Sequence, residues 1–121
     1  MSYNIYLFSF LYAIFNVAGA AIIKNKLLLV AISDFKEFIL FLVDIKIILA
    51  MLFIFVSMFF SIKALSLDKF SLVIPLLTGI NFLITIGVGY FFFKDELTLT
   101  GYLGILFIIL GIYLLGFGKT I

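Results

Sequence analysis

The residues able to do chemistry in this chain are few, and their types narrow what that chemistry is. There is no Cys and no His, which removes disulfides, thiolate catalysis and the commonest metal ligand. The acids Asp34, Glu37, Asp44, Asp68, Asp95 and Glu96 all fall at or near the ends of long apolar runs. No two of them lie inside such a run, where they could share acid and base roles. An enzyme, a metal centre and a cofactor are therefore not expected. What remains is amides, hydroxyls and lysines. Asn16, Thr78, Asn81 and Thr85 interrupt apolar runs, and Lys24, Lys46 and Lys63 stand beside them. Asn16 cannot titrate, so it can hold a polar group but cannot carry a transported proton.

The elements that must position these residues are membrane helices. The chain of 121 residues is 67% hydrophobic and 12% charged, whereas a soluble domain has about 45–50% apolar residues and about 25% charged ones. Residues 1–23, 47–62, 70–93 and 97–118 are free of charge. A helix needs about 20 apolar residues to cross a bilayer. The reading is an all-α membrane protein of one domain, residues 1–121, with four transmembrane helices at about 4–23, 44–64, 70–93 and 98–117. The first run has no early Lys or Arg and is longer than a signal-peptide core, so it is expected to stay in the mature chain. A net charge of +2 is too small and scattered to suggest a nucleic-acid surface.

The first connection is long and partly apolar. Asp34 followed by Glu37 suggests a capping-box start, and Phe35, Phe38, Ile39 and Leu42 repeat at helical spacing. Residues 33–43 are read as a short helix lying in the interface. The alternative is a second span that begins early, near Phe38, which would place Asp44 and Lys46 in the bilayer at a cost of about 3 kcal/mol per charge. The other two connections are short and make antiparallel neighbours. Lys24, Lys26, Lys36, Lys46 and Lys94 fall on one side, and Lys63, Lys69 and Lys119 on the other. The small excess places the first and third connections in the cytoplasm.

Within the third span, Ser71, Thr78, Asn81 and Thr85 lie close to one stripe that Gly89 continues, and Pro75 frees the carbonyl of Ser71. The stripe is either the lining of a translocation path or a set of interhelical bonds with a kink. Ser and Thr can bond back to their own helix, but the whole amide of Asn81 cannot be satisfied that way. Asn16 continues through Gly19, Ala20 and Ile23, a small face suited to a close neighbour helix. In the fourth span, Gly104, Ile108 and Gly111 share a face. That face fits either a dimer contact or packing inside the subunit.

Three segments resemble the small multidrug resistance fold of the drug/metabolite (EamA-type) transporter superfamily. They are PLLTGINFLITIGVGYFFFKDELTLTGYLGILFIILGIYLLG from Pro75 to Gly116, GILFIILGI from Gly104 to Ile112, and NVAGAAIIK from Asn16 to Lys24. The resemblance implies a four-helix bundle that dimerises through Gly104, Ile108 and Gly111. The chain departs from the family's drug exporters at two places: Asn16 stands where they have a glutamate, and Ile74 and Leu77 stand where they have an aromatic pair. Proton-coupled drug antiport is therefore not implied. The chain is similar instead to the proposed flippase subunits for undecaprenyl-phosphate aminoarabinose, through the extended first connection and the Asp44–x–Lys46 start of the second span. That resemblance implies a bacterial inner-membrane flippase or transporter subunit, working as a homodimer or heterodimer on a lipid-linked sugar or a polyprenyl phosphate. Asn16, Thr78, Asn81 and Thr85 would line its groove, and Lys24, Lys46 and Lys63 would attract phosphate at the surfaces. The alternatives are a small-molecule exporter, for drugs or metabolites, and a non-transporting accessory subunit of a glycolipid-modifying complex.

Overall fold

Apolar runs of this length must satisfy their backbone groups internally in lipid, and a helix does so within one segment. The computed structural model describes residues 2–118. They form five helices: α1, Ser2–Leu27; α2, Phe35–Leu42; α3, Ile45–Leu65; α4, Phe70–Phe92; and α5, Leu99–Gly118. Stretches of three are long and apolar enough to cross a membrane: Asn4–Leu27, Ile45–Leu65 and Phe70–Phe92. The apolar stretch Leu99–Leu115 of α5 is shorter.

Several boundaries differ from the sequence expectation, each for a local reason. Helix α1 runs past Ile23 to Leu27, so Lys24 and Lys26 sit in its last turn. Lysine is a good helix former, and cations are favoured at a helix C-terminus. A short helix is present in the first connection, two residues shorter at its start and one at its end than the expected 33–43. The Asp34 side chain caps it by accepting from Glu37 N–H at 2.8 Å. Glu37 Oε2 in turn accepts from Ser33 N–H and Ser33 Oγ, both at 3.0 Å. Helix α3 does not begin early. Asp44 caps it by accepting from Lys46 N–H at 2.9 Å, which breaks the chain between α2 and α3 at Val43 and Asp44. Lys119, expected on the far side of the membrane, lies outside the described residues.

Helix α1 is the hub and packs against α3 and α4. Gly19 makes the closest approach. A Cβ there would stand 2.7 Å from the Ala50 carbonyl oxygen and 2.7 Å from Ile54 Cγ1. Aromatic rings fill the rest of the α1–α3 seam, with Phe15 5.9 Å from Phe53 and 5.7 Å from Phe60. The core sits where α1 and α4 begin and α3 ends: Ile5, Ala64, Val73, Leu76 and Leu77 are buried against one another. Among the described residues α5 touches α4 alone. Its contact face is Ile105, Ile108 and Ile112, half-buried at helical spacing.

Candidate functional site

Two features stand out in the α1–α3–α4 bundle, one near its middle and one at the end away from the core. The first is polar. Asn81 Nδ2 of α4 donates to the Tyr12 hydroxyl of α1 at 3.4 Å. Thr85 Oγ1, one turn on, donates to Asn81 Oδ1 at 3.1 Å. The amide therefore bridges two helices and carries a hydroxyl with it. Asn16 follows Tyr12 by one turn on α1. It is half-buried and makes no side-chain hydrogen bond among the described residues. Ser9, one turn before Ala13, is fully buried, and its Oγ has no hydrogen-bond partner among the described residues. Thr78 is exposed on α4.

The second feature is a groove of about 950 Å³ between the last turns of α1, the start of α3 and the end of α4. Its wall is aliphatic and aromatic, including Val17, Ala21, Leu49, Ile84, Val88 and Phe92. It extends from Lys26 to Ile14 along α1, roughly 18 Å at about 1.5 Å per residue. Its rim is polar: Asn25, Lys26, Lys46 and Lys94 line the same groove. Lys26 Nζ stands 3.1 Å from Asp44 Oδ2. That ammonium, with the Lys46 backbone N–H, holds the Asp44 carboxyl below its ordinary 3.8. Lys94 has a left-handed backbone with φ 57°, a conformation uncommon for a residue with a side chain. It follows the end of α4, where Asp95 N–H donates to the Gly89 carbonyl at 2.9 Å.

The structure thus brings together part of the expected set. Asn81 and Thr85 join, with Tyr12 as a partner that sequence reasoning missed. Lys46 reaches the groove; Lys24 is exposed and lies outside its lining, and Lys63 is exposed at the opposite end of α3. Lys26 and Lys94 take the rim positions instead. A signal for Lys26 existed, since Ala18, Ile22 and Lys26 follow one another at four-residue spacing on one face. Lys94 had none, because its turn carries lysine where glycine is usual. On α5, Gly104 and Gly111 are exposed with open space where a Cβ would stand. Ile108 turns toward α4, its Cγ2 3.9 Å from the position of a Cβ on Gly79. It therefore serves the contact inside the subunit, and the two glycines lie beside that contact. No protein-family model, curated protein or solved structure matches the chain.

Proposed function

We propose that this chain is a subunit of a membrane transporter or flippase for an anionic, lipid-linked substrate of the polyprenyl-phosphate type, in the bacterial inner membrane. The observation that carries the reading is the groove: an apolar trough along three helices, with three lysines at its rim. Such a trough suits a lipid whose tail stays in hydrocarbon while its charged head meets cations at the interface. Helix α5 has 20 residues, about 30 Å at 1.5 Å per residue, which supports a fourth span. The open space at Gly104 and Gly111 supports a homodimer or a heterodimer with a similar four-helix chain. Export of cationic drugs or metabolites is a weaker reading, because no acid lines the groove among the described residues.

Reconstitution tests the proposal. Proteoliposomes holding a fluorescent prenyl-phosphate sugar in both leaflets are treated with an impermeant quencher. Flipping predicts that the protected inner fraction is lost faster than in protein-free vesicles. An unchanged protected fraction, with the protein fully inserted, contradicts it. The Tyr12–Asn81 bond favours one second reading, a non-transporting accessory subunit, because there the amide acts as interhelical glue. In that case Asn81→Leu lowers stability and complex yield together with function.

A further inference from the structure

The connection between α1 and α3 carries a run of apolar side chains that the bundle does not cover. Among the described helices α2 touches α3 alone, and Phe41 is its buried residue. Phe35 is 76% exposed, and Phe38, Ile39 and Leu40 are exposed as well. At about 100° per residue, Phe35, Phe38, Ile39 and Leu42 share one face. Lys36 and Glu37 stand on the other side of the helix, with Leu40 between them.

The apolar surface does not stop at the ends of α2. Leu27, Leu28, Leu29 and Val30 carry it back into α1, and Val43, Ile45 and Ile48 carry it forward into α3; all of them are exposed. Both flanking helices contain stretches long and apolar enough to cross a membrane. The uncovered face of α2 is therefore continuous with the outer surfaces of two spans. That continuity fits a bilayer, which must surround both spans, better than a separate protein partner. The connection between α4 and α5 is built differently, with Lys94, Asp95 and Glu96 in sequence.

The backbone sets the depth. Residues 30–33 hold no regular structure, and the N–H groups of Ala31 and Ile32 have no hydrogen-bond partner among the described residues. Irregular backbone facing lipid does not occur within the hydrocarbon, where such groups find no water. Water must reach this segment, which puts it at headgroup level. Its charges are Asp34, Lys36 and Glu37, one cation against two acids, so attraction to anionic lipid is not what would hold it.

We propose that residues 28–43 form a membrane anchor that docks on a zwitterionic lipid surface. Helix α2 lies along the boundary between headgroups and acyl chains, with Phe35, Phe38 and Ile39 inserted about 5–10 Å and Lys36 and Glu37 in water. The assignment needs α1 and α3 to cross the membrane and is independent of what the groove carries.

The native chain has no Trp, so single Trp variants of the full chain report position directly. They are placed in phosphatidylcholine vesicles with acrylamide on both sides, or with lipids brominated near the top or near the end of the acyl chains. Phe38→Trp is expected to be several-fold less quenched by acrylamide than Lys36→Trp, and quenched more by the upper bromines than by the deep ones. Phe55→Trp, at an exposed position midway along α3, is expected to be quenched most by the deep bromines. Adding phosphatidylglycerol should leave all three unchanged. In a Phe35→Trp background, Phe38→Ser should raise acrylamide quenching, through a weakened anchor.

Equal acrylamide quenching at positions 36 and 38 would put α2 in water and overturn the proposal. So would a Trp at position 38 shielded from acrylamide and from both bromines, which would mean that a protein surface covers this face. Bromine quenching that appears only with phosphatidylglycerol would overturn the zwitterionic assignment. Any of these results with Phe55→Trp still quenched by deep bromines sinks the anchor and leaves the spans and the transport reading standing. Loss of quenching at position 55 would remove the span of α3, and the anchor with it.

Discussion

The two ends of the α1–α3–α4 bundle are built on different principles. At one end Ile5, Ala64, Val73, Leu76 and Leu77 close into a core, and none of them is more than 4% exposed. At the other, the same three helices leave a groove of about 950 Å³ with lysines at its rim. Composition does not explain the difference, because both ends are aliphatic. The hydrophobic effect does not either, because lipid is as apolar as leucine and close packing must do the work. Gly19 and Ala50 draw α1 and α3 together along one seam, while the turns of Lys26, Lys46 and Lys94 bring charge to the open mouth. A cation near hydrocarbon keeps its hydration or finds a partner, and that requirement is compatible with an open end.

The largest test of this contrast is at the seam. Gly19→Leu would force a side chain against the Ala50 carbonyl, which cannot move aside as a flexible side chain does. We expect loss of the folded, monodisperse protein in size-exclusion chromatography. Gly104→Leu meets open space and should leave the subunit fold intact, while reducing crosslinked dimer if α5 carries that contact. A fold that tolerates both equally would break the comparison.

Next in size is the closed core. Leu76→Ala removes a side chain that is 1% exposed. In lipid the transfer term is small, so the cavity term remains, about 1–2 kcal/mol. Val88→Ala, on the groove wall, removes little packing and should change the thermal midpoint far less. Smaller again is Asn81→Leu. An interhelical hydrogen bond in a membrane protein averages about 0.6 kcal/mol, so a small drop in midpoint is expected if Asn81 is glue alone. A large loss of flipping at unchanged midpoint would instead place the amide in the transport path. The smallest effect is at Ser9. Its buried hydroxyl has no partner among the described residues, so Ser9→Ala should be neutral or slightly stabilising.

The ion pair at the open end has a signed pH dependence. Asp44 has its pKa lowered by Lys26, so the pair contributes above the unfolded value of 3.8 and is lost as pH falls through the lower folded value. Thermal midpoints of the native chain and Asp44→Asn should differ by a constant amount from pH 5 to 8 and converge only below that range.

Much of this architecture was legible in the residues. The uncharged runs mark the long helices, and Asp34 with Glu37 marks the start of α2, because lipid and capping chemistry leave few alternatives. Asn81 was legible as a residue needing a partner, but Tyr12 was not, since 69 positions separate them in the chain and helix rotation decides which side chains meet. The same rotation turned Ile108 inward and left Gly104 and Gly111 outward. Lysine at a left-handed turn cannot be told from lysine in a helix by its type, so Lys94 stayed hidden.

The most direct test of the open and closed ends uses the absence of native cysteine. Single variants Val88→Cys, on the groove wall, and Val73→Cys, in the core, are placed in membrane vesicles and treated with an impermeant maleimide from either side. The account predicts that Cys at position 88 is labelled from one side only, while position 73 stays unlabelled from both. Labelling at position 73, or a position 88 closed to reagent from either side, would contradict it.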